Sequence, residues 1–440
     1  LRLAPLGALF ATNSSGKSSV LQMLLMLKQT AESSDRNLVV DLGHDRSLVE
    51  LGTFQDILYR HDQDARLGLE VDWTLPELLF VADPTRRRKT LFGDSSLGFA
   101  AEIAGDLVGE HSPRPTVQRM EYRFAGAEFG MELSTPGTRE YDLFGTKDDF
   151  RFVRERGRAW KLPPPVRFYG FPDQVRAYFQ NAGFLSDFEL QLEQMLSRTF
   201  YLGPLRDYPK RQYSWGGSEP TDMGRRGEKV VDALLASRER DEKISYGRGR
   251  AGMTLEQRVA RWLKELGLIE SFEVRPITKG GKLFQVWVRR RVGGPPVLIT
   301  DVGFGVSQIL PVIALCYYVP KGSTVLLEQP EIHLHPAVQA GLADVLVDAI
   351  KVRGIQLVLE SHSEHLLRRL QRRIAEGVMR ADDAALYFSE SHDDGSTLTP
   401  LQLDEFGTIR NWPRDFFGDE LGEIAATQQA VIERRVLARR

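Results

Sequence analysis

The chain has 440 residues, 42% of them hydrophobic and 27% charged, the make-up of a globular protein with room for two or three domains. Its 58 Lys and Arg stand against 60 Asp and Glu, a formal charge of −2, so global charge gives no argument for a nucleic-acid binder and leaves only local basic patches open. A single cysteine, Cys316, excludes an intramolecular disulfide framework and a cysteine-rich zinc site and suits a reducing cytoplasm; no run approaches the ~18 apolar residues of a membrane span.

The opening LRLAPLGALFA enters a strand almost at once without a methionine or a signal peptide, so the expectation is that an initial strand or two precede it. APLGALFATNSSGKSSVLQMLLMLKQT then reads as a short apolar strand, a Ser/Gly loop and a helix apolar on most sides, hence buried. Within it ATNSSGKSS, Ala11 to Ser19, fits Gly-x-x-x-x-Gly-Lys-Ser at every position but the first. A tight loop between strand and helix aims consecutive N–H groups inward, and the helix N-terminus adds positive potential, so polyphosphate oxygens bind there. Asn13, Ser14, Ser15 and Gly16 form the loop and Ser19 lies just beyond it; Lys17 is expected at the β- and γ-phosphates, and the Ser18 hydroxyl on Mg2+. Ala11 would cost ~1–2 kcal/mol if its position demanded a left-handed backbone.

From about Asp62 to Tyr201 short alternating stretches such as LGLEVDW and VQRMEYRFAG are separated by turn-rich pieces, and helical FLSDFELQLEQMLSR follows. RQYSWGGSEPTDMGRRGEKV is a polar, Gly-rich ordered loop, TLEQRVARWLKELGL an amphipathic helix, and FEVRPI with LFQVWVRR a hairpin through TKGGK. Helical QILPVIALCYYV, strand STVLLE, helix AVQAGLADVLVDAIKVRG and strand IQLVLE return the chain to strand–helix–strand order. This predicts an α/β core, residues 1–62 and 201–390, split by an inserted α+β arm, 63–200, with a C-terminal segment 391–440.

The strand TVLLE ends in Glu328, placed to hold Mg2+ directly or through water. The next residue, which would polarise an attacking water, is Gln329; an amide orients water but cannot take its proton, so hydrolysis should be slow unless another base serves, Glu331 being the nearest. His333 and His335 of IHLHP invite a metal reading, but nothing nearby supplies a third ligand. In LESHSEHLL, His362 sits at a strand end, within reach of a γ-phosphate or attacking water, and His365 belongs to the following helix.

In this order, ATNSSGKSS, DVGFGVSQILPV, LLEQPEIHLHP and LESHSEHLL resemble the phosphate loop, signature, acid-tipped strand and switch histidine of ABC-type P-loop ATPase heads of SMC-like, RecF-like and OLD-family proteins, a mixed sheet flanked by helices. The match is closer to a bacterial subfamily of AAA-type ABC ATPases with a C-terminal domain of unassigned function, carried by VDLGHDRSLVELGTFQDILYRHD, YLGPLRDYPKRQY and LDEFGTIRNWPRDFFGDE, similar to the ATPase subunits of antiphage defence systems. The resemblance implies ATP and Mg2+ as cofactors. It further implies a head-to-tail homodimer, or a higher homo-oligomer, in which Gly303, Gly305 and Ser307 of one copy meet the γ-phosphate held by another. It places Gln55 as a Mg2+ or water contact beside Ser18 and Glu328. No Cys-x-x-Cys hook is present, and the stretch after His362 is short for a Toprim domain, so no nuclease activity of its own is expected.

Basic clusters stand at Arg86–Lys89, Arg289–Arg291 and Arg368–Arg373, and the second would suit phosphates of DNA or RNA. Two readings result. One is a cytoplasmic ATPase gating a nucleic-acid-linked process, antiphage defence or DNA repair, with a separate nuclease or toxin effector. The other is an ATP-stabilised scaffold that touches no nucleic acid.

Overall fold

The structure is a computed structural model that describes all residues except 12–14, 83–89, 107–112, 136, 148–149, 158–159, 246–250, 414–415, 417–425, 432–433 and 435–440. Asn13, Ser14 and the cluster Arg86–Lys89 therefore lie outside the described residues. The chain forms two compact units, one of Leu1–Leu21 with Arg198–Arg440 and one of Gln22–Ser197.

Strand β1 (Leu6–Ala11) leads through the loop to helix α1 (Lys17–Glu32), which runs on into the second unit. That unit contains β2 (Arg66–Ala82), β3 (Thr90–Asp106), β4 (Arg114–Phe124), β5 (Ala127–Leu133), β6 (Tyr141–Gly145), α2 (Asp173–Tyr178) and α3 (Leu185–Ser197). Its five strands form one antiparallel meander in sequence order. Met120, Tyr122 and Phe124 alternate as buried residues of β4, as one covered face requires, and Phe124, Phe129 and Phe92 meet Phe188 or Phe184 from α3 and the turn before it.

The first unit resumes with β7 (Thr199–Leu202), β8 (Tyr213–Ser214), α4 (Val230–Glu239), α5 (Leu255–Glu265), β9 (Ser271–Pro276), β10 (Leu283–Arg289) and β11 (Val297–Leu298). It ends with α6 (Phe304–Tyr318), β12 (Thr324–Glu328), α7 (Pro336–Arg353), β13 (Gln356–Ser361), α8 (Glu364–Ala375), β14 (Ala384–His392) and β15 (Gly395–Pro400). Thr254 and Gln257 start α5 with a reciprocal capping box, and Gly354 ends α7 in the left-handed conformation. The expected hairpin is β9 paired antiparallel with β10.

Six strands form the main sheet in the order β15-β14-β1-β13-β12-β7, all parallel except the edge strand β15. Strands β1, β12 and β13 are near-continuous apolar runs, the pattern of parallel strands covered on both faces. Helix α6 is buried at every position from Val306 to Tyr317, so Cys316 is a core residue, its thiol pushed up to about 12 by burial. The mixed sheet flanked by helices is the fold class expected from the sequence. Two details were not: β7, at the end of the stretch assigned to the arm, pairs with β12 in the main sheet, and β15, within 391–440, forms its far edge.

Candidate nucleotide site

The loop after β1 starts without strain. Ala11 pairs in parallel register with Ser389 of β14 and its backbone is extended, so the penalty foreseen for a non-glycine there does not arise. Gly16 does take the left-handed backbone, with φ 79°, and a Cβ on it would lie 3.0 Å from the Ser396 Oγ of β15. The Ser389 hydroxyl donates to the carbonyl of buried Ser15, so β14 and β15 buttress the loop from one side. Lys17 and Ser18 open a sixteen-residue helix whose N-terminal N–H groups and dipole favour an anion. Lys17 is buried; desolvation lowers the pKa of its ammonium, and the charge of Glu360 opposes this.

The acids stand on β13, beside β1, and on β12, the next strand over. In the β12–β13 pairing Glu328 is the Cα partner of Glu360, so both carboxylates leave the same end of the sheet. The Ser18 hydroxyl donates to Glu360 Oε2 at 2.8 Å, across 342 residues of sequence. Glu328 Oε1 accepts from the Tyr201 hydroxyl at 3.0 Å. Burial raises the Glu328 carboxyl above the usual range, the Tyr201 hydrogen bond holds it down, the Glu360 charge raises it and Arg206 lowers it. Arg206 is buried beneath these acids, donates to the Glu328 carbonyl at 3.4 Å, and is lowered to about 10 by desolvation.

Gln329 adopts a left-handed backbone, φ 43°, and its N–H donates to the Glu360 carbonyl at 2.9 Å, which ties the two strand tips together. Glu331 is 6% exposed; its Oε1 accepts the His362 backbone N–H at 2.7 Å, and its Oε2 has no hydrogen-bond partner. Burial raises its carboxyl, so Glu331 holds the turn that presents His362 more directly than it faces solvent water. The imidazole of His362 is lowered by desolvation and by the Lys17 charge, which favours the neutral ring at pH 7.

Ser15, Gly16, Lys17, Ser18, Glu328, Gln329 and His362 thus meet at the ends of three neighbouring strands. Gly303, Gly305 and Ser307, expected at the nucleotide of a second copy, and Gln55 have the following surroundings in this chain. Ser307 is buried and its hydroxyl donates to the Phe304 carbonyl at 2.8 Å, a backbone acceptor already at hand in the first turn of α6. Gly303 and Gly305 have negative φ; a Cβ on Gly303 would meet nothing within 4 Å, so nothing within this chain requires glycine there. Gln55 belongs to the other unit, where its amide donates to the His61 carbonyl at 3.3 Å. His335 caps α7, and the His333 ring stands edge-on to Phe304. Among the described residues no group of three or more His, Cys, Asp or Glu side chains is arranged to hold a metal. The oxygen donors Ser18 and Glu328 do fit Mg2+, which takes most of its remaining ligands from phosphates and water.

The sequence reading passed over Tyr201, Arg206 and Glu360. A signal for Glu360 was present: IQLVLE ends in an acid just as TVLLE does.

Residues 166–368 match the family model described as "AAA domain, putative AbiEii toxin, Type IV TA system", and residues 379–426 match the one described as "Protein of unknown function (DUF3696)". The chain therefore carries an AAA domain followed by that C-terminal domain. The first match begins after the phosphate loop, which β1 brings into the same sheet. No curated protein matches the chain. Among solved structures it is similar to an SmcHead bound to the C-winged helix domain of ScpA, at 10% identity over 90% of each chain with a TM-score of 0.42. It is similar also to the SMC head domain from Thermotoga maritima, at 8% identity over 91% of this chain and 92% of that one, TM-score 0.35. A third is an Smc head with an extended coiled coil from Pyrococcus furiosus, at 10% identity over 90% of each chain, TM-score 0.37. Likenesses this distant say nothing about what the chain binds.

Proposed function

We propose that this chain is an ATPase head that binds ATP with Mg2+, hydrolyses it slowly, and pairs with a second copy around the nucleotide. The observation that carries the reading is the convergence of Lys17, Ser18, Glu328 and His362 where β1, β13 and β12 end, the place where open α/β sheets bind ligands. Lys17 and the start of α1 bind the β- and γ-phosphates, and Ser18 and Glu328 hold Mg2+, which neutralises charge on those oxygens. Gln329 orients the attacking water without accepting its proton, and neutral His362, whose ring N–H is held by the Ala11 carbonyl, presents its other nitrogen toward that water. The absence of a proton acceptor at position 329 is the reason turnover is slow.

For pairing, the α6 N-terminus has no side-chain cap, and Phe304 beside it is 46% exposed. A γ-phosphate held by a second copy would meet those uncapped N–H groups. Sedimentation with ATP and Mg2+ tests this: wild type forms a dimer or larger assembly, whereas Gly303→Arg, which has room within its own chain, stays monomeric with ATP bound. A wild-type monomer at saturating nucleotide contradicts the pairing.

The process gated is nucleic-acid-linked, in antiphage defence or DNA repair, with a separate nuclease or toxin effector. Arg289, Arg290 and Arg291 are exposed at the end of β10 and, among the described residues, make no ion pair, while Arg368, Arg369, Arg372 and Arg373 are paired with Glu364, Asp344 and Glu376. Changing the first three to Glu should abolish salt-dependent binding of duplex DNA or RNA. Unchanged or absent binding favours the scaffold reading, for which Gln329 and its slow turnover speak.

A further inference from the structure

We propose that Glu360 is a cation-site carboxylate: together with Ser18 and Glu328 it holds the divalent ion that accompanies the triphosphate. The proposal rests on the ATP-site reading above and adds an acid found in neither the phosphate loop nor the β12 tip.

Position comes first. Strand β13 lies between β1 and β12, and Glu360 is the register partner of Leu9 on one side and of Glu328 on the other. The Ser18 hydroxyl, assigned to the ion, donates to Glu360 and not to Glu328, one of whose oxygens is occupied by Tyr201. A hydroxyl that binds a cation through its oxygen keeps its proton and needs an acceptor for it; Glu360 Oε2, at 2.8 Å, is that acceptor.

Charge comes second. Glu360 is 4% exposed and Glu331 6% exposed, and both stand near Glu328; among the described residues Lys17 acts on Glu360 and Arg206 on Glu328 and Glu331. Buried carboxylates in excess over cations are costly unless a further positive charge arrives. Glu331 Oε2 is buried without a hydrogen bond of good geometry, so this acid is incompletely satisfied in the site as it stands. The described residues hold no self-sufficient metal cluster, so the ion arrives with the phosphates.

Chemistry comes third. Where a second acid would follow Glu328, this chain has Gln329, whose N–H is fixed on the Glu360 carbonyl. The second carboxylate of the site has in effect moved one strand over.

The test is Glu360→Gln, whose amide oxygen still accepts the Ser18 hydroxyl while the charge is gone. Calorimetry would follow ATP binding against Mg2+ concentration, with a parallel series in EDTA. The half-saturating Mg2+ concentration should rise roughly tenfold or more, while metal-free ATP binding stays within about twofold. Glu360→Asp, which keeps the charge and covers the case of a poorly folded amide variant, should fall between the two. Mg2+ midpoints equal to wild type overturn the proposal. So does an equal loss of metal-free binding in a variant with a normal thermal melt, because that marks Glu360 as a loop support only. If wild type binds no ATP with or without Mg2+, the site reading itself falls and this assignment with it.

Discussion

Replacing Tyr201 by phenylalanine removes one hydroxyl and little else. The side chain is buried on β7, and its hydroxyl donates to Glu328 Oε1 at 3.0 Å. That bond is the largest influence opposing the desolvation that raises the Glu328 carboxyl. Hydrogen bonds to charged groups contribute ~1.5–3 kcal/mol, and this one is made to the carboxylate form. Its loss therefore pushes the Glu328 carboxyl further up. The sign is fixed: the variant loses stability where Glu328 is ionised and matches wild type at pH values below both folded pKa values. Calorimetric titration of Mg2+ and ATP between pH 6 and 9 should give near-normal affinity at the alkaline end. On the acid side, binding should fall off with a midpoint displaced to higher pH than in wild type. Coincident midpoints in the two proteins, or binding lost equally at every pH, would refute the role given to Glu328 and to its tyrosine.

Gln329→Glu should raise ATP turnover by about a hundredfold if a missing proton acceptor limits the rate; an unchanged rate in steady-state assays means another group already serves. Glu189, in the second unit, has its carboxyl raised from 4.5 to about 7 by burial, so the stability it confers is full below pH 4.5 and is lost as pH rises through about 7. Glu189→Gln should flatten this dependence and recover roughly 3 kcal/mol at pH 8, read from denaturant melts across pH; parallel melts of the two proteins would count against it. Phe416 of the C-terminal domain packs edge-on against Phe10 at 5.9 Å and Phe388 at 4.6 Å, so Phe416→Ala should cost ~3–5 kcal/mol and lower the melting temperature, whereas an unchanged melt would mean that the contact is dispensable.

What could be read in advance was local. Gly-Lys-Ser after an apolar strand, the β9–β10 hairpin around TKGGK, the amphipathic helix α5 and the acid at the end of β12 all rest on neighbours within a few residues. What could not be read was pairing over distance. Nothing within LGALFA says that it lies between β13 and β14, more than 340 residues away, so the Ser18–Glu360 contact was invisible although each residue stood in plain view. The same holds for Tyr201 and Arg206, whose partners are set by β7 pairing with β12. Within one chain the Ser307 hydroxyl is held by the carbonyl three residues earlier on its own helix, a local contact that the motif position did not announce. The left-handed backbone of Gln329 carried no glycine or asparagine to announce it.

The measurement closest to the central claim is equilibrium binding of ATP in the presence of Mg2+ to the wild-type chain and to Lys17→Ala. The account predicts one ATP per wild-type chain and none for the variant at the same concentrations, with both proteins melting as folded chains. Equal occupancy in the two, or a wild type that takes up no nucleotide, would contradict it.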